Sequence, residues 1–276
     1  MTTYLAANDA PPRNTGHIKI YSLEDFDAME AACQLTAKCL DAVTELVRPG
    51  TTTRELDRFI RNFGHDHGVV PATLNYRGYP HSSCISINHV VCHGMPSDKP
   101  LKNGDILNID ITFIVDGWHG DSSRMYIAGT PKRAAERLVD ITHDCLMAGI
   151  DAVKPGNHMG AIGAAIERIA HAERCSVVRD FCGHGVGTLF HDAPNVLHYG
   201  RADEGIEMKP GMIFTIEPMI NLGKPHVKIL RDGWTAVTRD RSLSAQFEHS
   251  VGVTEDGCRV FSFSPIGLHK PLTSNG

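Results

Sequence analysis

Residues 101–110 read L-K-N-G-D-I-L-N-I-D, and they align without a gap with residues 208–217, which read M-K-P-G-M-I-F-T-I-E. The alignment superposes the acid that ends each decapeptide. Upstream, V-R-P-G at 47–50 aligns with V-K-P-G at 153–156 at nearly the same spacing. A repeat this long is not that of a solenoid. We therefore interpret the chain as two related halves, each with a helix, a Pro-Gly turn, a second helix and antiparallel strands, and we expect the two acids to meet near a pseudo-twofold axis.

The two aligned acids belong to a set of five residues whose side chains are typical metal ligands: Asp110, Asp121, His184, Glu217 and Glu248. Each acid lies within a strand-like apolar run, where burial of an unpaired charge is costly. These runs hold no matching set of basic residues, so a metal is the expected partner. One histidine with four carboxylates favours first-row divalent cations, and it does not distinguish Co, Mn, Fe, Ni and Zn.

The segment between Asp110 and Asp121 predicts how two of these acids come together. Asp116-Gly117 is a hairpin turn signal between two alternating runs. A two-residue turn places position 110 opposite 123 and makes 121 its diagonal neighbour on the same face, about 7–8 Å away. Carboxylates at that distance can reach one pair of metal ions, which lie about 3.5–4 Å apart in such sites. For this pair alone, two acids on the solvated face of a hairpin are the alternative.

Length and composition favour one globular domain. The chain has 276 residues, of which 42% are apolar and 21% are charged, and its net charge of −5 gives no support for nucleic-acid binding. We expect a loose N-terminal arm over 1–17, a single catalytic domain over 18–268 and a loose tail over 269–276. The halves of the domain are expected at about 20–127 and 130–263.

Targeting and cysteine patterns predict a cytoplasmic protein. No apolar run reaches the ~18 residues that span a membrane, and the first residues lack the apolar core of a signal peptide. The eight cysteines include no C-x-x-C pair, so we expect reduced thiols rather than a zinc knuckle. Cys182 precedes His184 by two residues on what reads as a glycine-rich turn, and a Cys-His nucleophile there is a weaker alternative to the metal site.

Capping and breaker signals predict an α+β arrangement. The helices are expected from the Ser22 cap to about Leu46, from the Thr52 cap to about His65, from Thr130 with Pro131 at the first helical position to about Val153, and from about Met159 to Glu173. The strands are expected at 83–92, 105–115, 118–127, 212–220, 226–230, 247–253 and 259–263.

A series of short motifs is specific enough to compare with known families. In chain order they are N-Y-R-G-Y-P, C-I-S-I-N-H-V-V-C-H-G-M-P, N-I-D-I-T, G-D-S-S-R-M, C-G-H-G-V-G, F-H-D-A-P, F-T-I-E-P-M and F-E-H-S. Together, over about residues 20–263, they resemble the type I methionine aminopeptidases. The resemblance implies a pita-bread fold, in which the curved strands of both halves surround two divalent metal ions. It also implies removal of the initiator methionine when the second residue is small, by attack of a metal-activated water on the first peptide bond.

The resemblance assigns a role to each of the five ligands. Asp121 and Glu248 would bridge the two metal ions. Asp110 would complete the coordination of one ion, and His184 with Glu217 would complete that of the other.

Three residues carry catalytic roles by the same resemblance. Glu217 would also act as the general base. His191 would contact the scissile carbonyl and help to hold the oxyanion, and His93 would act near the substrate amide. A hydrogen-bonded polar residue of the core is the alternative for either histidine.

The substrate pocket implied by the resemblance accepts an unbranched apolar side chain. Its lining is Tyr76, Tyr79, Cys84, His93, Phe190, His191 and Trp234. Aromatic walls suit a methionine thioether, and an ordinary core position is the alternative for each of these rings. Thr73 stands where many bacterial relatives carry cysteine, so the fine specificity is expected to differ there.

The implied partner is the N-terminus of a peptide or nascent chain, and the ribosome is a further candidate. The chain is expected to be a monomer that contacts neither membrane nor nucleic acid. A binding module that has lost catalysis is a rival interpretation from another functional class. Such a module should have lost ligands, whereas all five are present.

Related enzymes of the same fold are also alternatives. Aminopeptidase P and prolidase share this ligand set but carry a long N-terminal domain, and here only 109 residues precede Asp110. Type II methionine aminopeptidases carry an insertion between the regions of His191 and Glu217, where this chain has only 25 residues. The cysteine-free N-terminal arm argues against the type with a zinc-binding extension.

Overall fold

The computed structural model describes residues 2–271, and within them four α-helices flank β-sheets. The helices are α1 (Leu23–Ala42), α2 (Thr53–Asp66), α3 (Arg133–Asp151) and α4 (Gly160–Ala172). Short 3-10 helices cover Ala7–Asp9, Val43–Leu46 and Tyr76–Gly78. The strands are β1 (Tyr4–Ala6), β2 (Ile18–Ile20), β3 (Val70–Pro71), β4 (Cys84–Ile87), β5 (Val90–Cys92), β6 (Asp105–Val115), β7 (Trp118–Ala128), β8 (Ser176–Val177), β9 (Gly183–Gly185), β10 (Asp192–Val196), β11 (Ile213–Ile216), β12 (Met219–Asn221), β13 (Val227–Ile229), β14 (Ala236–Thr238), β15 (Ser244–Gln246), β16 (Glu248–Val253) and β17 (Cys258–Val260).

The two halves make equivalent backbone contacts, as the sequence repeat predicts. In the first half, the N–H of Gly50 donates to the carbonyl of Leu101 at 2.8 Å. In the second half, the N–H of Gly156 donates to the carbonyl of Met208 at 2.9 Å. Each Pro-Gly turn is therefore tied to the first residue of the decapeptide in its own half.

One curled sheet joins the halves. Its strand order is β10-β9-β11-β16-β7-β6-β3, with β17 also on β16 and β4 also on β6. At the centre β16 and β7 meet antiparallel through two residue pairs, Glu248 with Ser123 and His249 with Ser122, and we call this junction the seam. Outward from the seam, the order β16-β11-β9 in one half mirrors β7-β6-β4 in the other, as expected for a pseudo-twofold fold.

Two large hydrophobic clusters lie between helices and sheet, one built from the first half and the other mainly from the second. Leu40 of α1 packs with Ile109 of β6 in the first cluster. Leu146 of α3 packs with Phe214 of β11 in the second. All four side chains are fully buried, and burial of such a side chain stabilises by about 1.5–3 kcal/mol. Because successive side chains of a strand point to opposite faces, burial of Ile109 in its cluster turns its neighbour Asp110 to the other face of the sheet.

The central hairpin has the predicted register. Asp116 and Gly117 form its turn with φ angles of 48° and 86°, a conformation in which both residues are left-handed. Asp110 pairs with Ser123, and Thr112 pairs with Asp121. The two acids are therefore diagonal neighbours on one face.

Two predicted strands are each divided in the structure. The run 83–92 forms β4 and β5, because Asn88 turns the chain with a φ of 55°. The run 212–220 forms β11 and β12, which belong to different sheets. Pro218 lies at that division, and a proline has no N–H to continue a ladder. Prediction of one continuous strand in each run was wrong.

Helix boundaries also differ from the prediction. α3 begins at Arg133 with Lys132 as its N-cap, so the placement of Pro131 inside the first turn was wrong. α1 ends at Ala42, and its predicted last turn is the 3-10 helix. Eight of the described strands were not predicted, and they have only two to five residues each, which is too short for a clear alternation of apolar and polar side chains: β1, β2, β3, β8, β9, β10, β14 and β15.

Part of the predicted N-terminal arm is ordered against the second half. β1 pairs in parallel with β2, and the hydroxyl of Tyr4 donates to the carbonyl of Glu207 at 2.8 Å. In the predicted tail, residues 272–276 lie outside the described residues. The division into arm, domain and tail stays a prediction. No described helix is long and apolar enough to cross a membrane.

Candidate metal centre

The five predicted ligands line a single cavity of about 380 Å³ beside the seam. Asp110 and Asp121 come from the hairpin of the first half, and the other three come from the second half. Ligand atoms of Asp121, His184 and Glu248 all lie within 4.8 Å of one another. The fold thus brings together acids that are far apart in the sequence.

Asp121 is fixed by its cross-strand partner. Its side chain is almost completely buried, and the hydroxyl of Thr112 donates to its Oδ1 at 2.7 Å. The other carboxylate oxygen, Oδ2, lies 3.6 Å from Nε2 of His184. One oxygen is therefore held by the protein, while the other faces the cluster.

His184 lies on strand β9, between two glycines that allow close packing. The predicted glycine-rich turn is thus a strand, which was not expected. A Cβ on Gly183 would lie 2.3 Å from the carbonyl oxygen of Thr215, and one on Gly185 would lie 2.1 Å from that of Ala193. Only glycine permits neighbouring strands to approach so closely.

The imidazole of His184 is oriented by its own strand. Nδ1 lies 3.0 Å from the carbonyl oxygen of Gly185, so the tautomer with a proton on Nδ1 leaves Nε2 free to bind a cation. Nε2 also lies 3.6 Å from Oε1 of Glu217. This geometry suits a metal ligand.

Glu217 is held by three polar residues that the sequence analysis did not identify. The hydroxyl of Thr215 donates to Oε1 at 2.8 Å, and Nε2 of Gln246 donates to Oε2 at 3.3 Å. Nε2 of His198 accepts the backbone N–H of Glu217 at 3.0 Å. Thr215 precedes Glu217 by two residues, and Gln246 precedes Glu248 by two. Strand periodicity was therefore a usable signal for both.

The negative charges of this buried cluster are unfavourable unless positive charge lies beside them. Burial, followed by repulsion from neighbouring acids, raises the pKa of Asp110 and Glu248 well above the ordinary value. Burial also raises the pKa of Asp121 to about 7. Among the described residues the only Lys or Arg lining the cavity is the exposed Arg77. Divalent cations would supply the missing charge, so the donor set fits a metal centre.

The predicted catalytic histidines also line the cavity. The His191 ring centroid is 4.2 Å from that of His184, and burial followed by the influence of His184 lowers its pKa to about 2. Burial lowers the pKa of His93 as well. Both rings are therefore neutral near pH 7, and each can donate one hydrogen bond.

The predicted pocket residues surround the same space. Tyr79 is fixed as a wall, because its hydroxyl donates to the carbonyls of Ser83 at 3.0 Å and Gly94 at 3.1 Å. Its ring meets Trp234 edge-on at a centroid distance of 5.2 Å. The ring of Phe190 contacts that of Tyr76 in a tilted arrangement at a centroid distance of 4.9 Å.

The smaller lining residues are buried. Cys84 pairs with Asp110 across β4 and β6. The hydroxyl of Thr73 has no hydrogen-bond partner among the described residues, and nothing in the structure explains it. Cys182 lines the cavity too, but burial raises its pKa, which argues against a thiolate nucleophile.

Comparisons with known proteins agree with this geometry. The model of metallopeptidase family M24 matches residues 27–255. A methionine aminopeptidase of Rickettsia prowazekii is 52% identical over 255 residues, which are 92% of this chain and 98% of the relative. A methionine aminopeptidase of Escherichia coli strain K12 is 49% identical over 247 residues, 89% of this chain and 94% of the relative.

Solved structures show the same likeness. The Rickettsia prowazekii methionine aminopeptidase superposes with a TM-score of 0.88 at 53% identity, over 89% of this chain and 99% of that protein. A prolidase from Pyrococcus furiosus has a TM-score of 0.70 at 21% identity and shares the fold. This chain covers 88% of its own length in that superposition but only 65% of the prolidase. The chain belongs to metallopeptidase family M24, among the methionine aminopeptidases.

Proposed function

We propose that the protein removes an N-terminal methionine from peptides and nascent chains whose second residue is small. The observation that carries the proposal is one cavity that holds four carboxylates and His184 behind aromatic walls. The acids provide a place for hydrolytic metal chemistry, and the rings provide a place for one apolar side chain.

Two divalent ions are the proposed cofactors, and Mn, Fe, Co, Ni and Zn all remain compatible with the donors. Asp121 and Glu248 would bridge the ions. Asp110 would complete the coordination of one, and His184 with Glu217 that of the other. When bound, the ions would lower the pKa of water towards neutrality and so make it a nucleophile.

The surrounding residues would orient the substrate and handle protons. Glu217 is the proposed general base, and its oxygens are already positioned by Thr215 and Gln246. His191 would donate a hydrogen bond to the carbonyl oxygen as negative charge develops there. His93, whose ring meets Phe181 edge-on at 5.4 Å, would donate to the amide region.

The walls give a reason for selectivity at two positions. Tyr79 and Trp234 would enclose the terminal thioether, which gains sulfur–aromatic contacts. Tyr76 and Phe190 would limit the space beside the scissile bond. Because overfilling a packed site costs about 1–3 kcal/mol, a bulky second residue should lower turnover about 10–200-fold.

A peptide panel tests the function. Free methionine should be released from Met-Ala, Met-Gly and Met-Ser peptides, and hardly at all from Met-Leu, Met-Lys or Met-Arg peptides. Acetyl-Met-Ala peptides should resist cleavage, because the free amine is expected to sit beside the ions. Chromatography of the products measures each rate. Comparable rates on Met-Ala and Met-Arg, or preference for proline in second place after any first residue, would contradict the proposal and favour an aminopeptidase P activity.

The cellular location, the oligomeric state and the ribosome contact of the protein are also proposals. We place the protein in the cytoplasm as a monomer that meets its substrates at the ribosome. The eight cysteines are free thiols, which suits a reducing compartment.

A further inference from the structure

Arg77 lies at the mouth of the metal cavity on a tight turn. It is exposed, yet it lines the same cavity as the five ligands. Its guanidinium lies over the ring of Tyr76 at 5.3 Å from the centroid, and that ring is stacked on His191 at 5.2 Å. The ring of Tyr76 thus lies between the guanidinium of Arg77 and the ring of His191, which is proposed to hold the carbonyl oxygen.

The backbone of this turn is held in an unfavourable conformation. Arg77 has φ 47° and ψ 30°, and Asn75 has φ 67°, which is the left-handed region that side chains normally avoid. Hydrogen bonds from Asn75 N–H to the Tyr79 carbonyl at 2.7 Å and from Gly78 N–H to the Asn75 carbonyl at 3.2 Å maintain it. Such conformations persist where the surroundings enforce them, and they concentrate at ligand clamps.

The charge of Arg77 is also unpaired. Within residues 2–271 no carboxylate lies within ion-pair distance of its guanidinium, although Arg54, Arg124, Arg137 and other arginines have such partners. The other charged residue at the mouth, Asp180, is not its partner. A cation so placed is available to a bound molecule.

We propose that Arg77 binds a carboxylate that the substrate carries just beyond its small second residue, which makes Arg77 a specificity-determining residue. An extended peptide advances about 3.3 Å per residue, so its third or fourth residue reaches a cation two ring contacts from His191. The carboxylate has two sources, an acidic side chain at those positions or the free C-terminus of a short peptide. The inference rests on the proposed methionine release, because it places the scissile bond beside His191.

Matched peptides test the charge preference. We compare kcat/KM for Met-Ala-Asp-Gly-amide, Met-Ala-Asn-Gly-amide and Met-Ala-Lys-Gly-amide, and separately for Met-Ala-Ser with a free or an amidated C-terminus. The Asp peptide should exceed the Asn peptide by about two- to fivefold at low ionic strength, as for a solvent-exposed ion pair. Arg77→Gln should remove that ratio, and Arg77→Glu should reverse it in favour of Lys. The tripeptide pair shows whether a terminal carboxylate serves equally well.

Arg174 provides the matched control. It is exposed and left-handed with φ 58°, as Arg77 is, but it does not line the cavity. Arg174→Gln removes the same charge from another left-handed position and should leave the Asp/Asn ratio unchanged. In the unmodified protein the ratio should shrink as salt rises from about 0.1 to 1 M, because the Debye length falls from about 10 to 3 Å.

Two results overturn the proposal. One is an Asp/Asn ratio near one in the unmodified protein at low salt, with methionine released well from both peptides. The other is an equal change in the ratio from Arg77→Gln and Arg174→Gln. Absence of methionine release from every peptide is a different outcome, because it contradicts the proposed function itself.

Discussion

At the scale of single residues, the site depends on buried carboxylates whose negative charge is unfavourable until a cation binds. Asp121 keeps one oxygen on Thr112 and turns the other towards His184. Glu217 is held at both of its oxygens, by Thr215 at one and by Gln246 at the other. These hydrogen bonds orient the ligands before any cation arrives, which is the usual contribution of residues that surround a metal centre.

Asp110→Asn and Glu248→Gln should each lose metal while the fold survives. Loss of a surrounding hydrogen bond typically costs about 10–100-fold in metal affinity, so loss of a ligand should cost at least as much. Mass spectrometry of metal content, with circular dichroism for the fold, measures the effect. Asp116→Asn in the turn of the same hairpin is the control and should bind metal normally. Full metal content in either ligand variant would contradict the assignment.

Much of the ligand set was predictable from individual residues. Asp110 and Glu217 were marked by their superposition in the repeat, and Asp121 by the hairpin register. His198 was not predictable, because its contact with the N–H of Glu217 joins two segments that only the fold brings together. A lone histidine gives no such signal.

At the scale of elements, strand β9 has the strictest packing requirement. It has three residues, and its two glycines permit contact with β10 and β11 that no other residue allows. Its sequence could not be identified as a strand, since glycine is depleted in strands and a single histidine shows no alternation. By contrast β6 and β7 have eleven residues each and a clear turn between them, so both strands and their register were predicted.

Gly185→Ala should displace β9 and weaken both stability and metal binding. The added Cβ would lie 2.1 Å from the carbonyl oxygen of Ala193, and overpacking of this kind costs about 1–3 kcal/mol. Gly257→Ala is the control, because its Cβ would meet no atom within 4 Å and its φ is not left-handed. Urea denaturation and metal titration of the two variants measure the difference. Equal stability of the two variants would show that β9 can move without consequence.

At the scale of the whole molecule, the free energy of unfolding of the metal-free protein should depend on pH. Burial raises the pKa of the four acids, with Asp121 at about 7. Burial lowers the pKa of the core histidines, to about 4 for His184 and about 3 for His198. Below about pH 6.5, a rise in pH lowers the stability through the acids and raises it through the histidines. Above that pH only the acids still differ in bound protons between folded and unfolded chains.

The metal-free protein should therefore lose stability as the pH rises from 6.5 to 8. In that window folded Asp121, whose pKa is raised to about 7, still holds part of a proton that the unfolded chain has released, so the free energy of unfolding falls with rising pH, by at most about 1.4 kcal/mol per pH unit for each retained proton. Denaturant titrations with a chelator at several pH values measure the slope. Mn²⁺ should abolish the slope, because bound ligands are ionised in the folded state. A metal-free protein that gains stability over this window would contradict the expectation.

The seam has a consequence for how the polypeptide can be divided. Across it, the hydroxyl of Ser122 donates to the carbonyl of Glu248 at 2.8 Å, and that of Ser250 donates to the carbonyl of Asp121 at 2.7 Å. A cut in the exposed loop at 129–130 would give two fragments, each with only part of the ligand set. Neither fragment could assemble the full ligand set alone, so metal binding should favour complementation between them, and the ions would act as an inorganic crosslink between two separately made polypeptides.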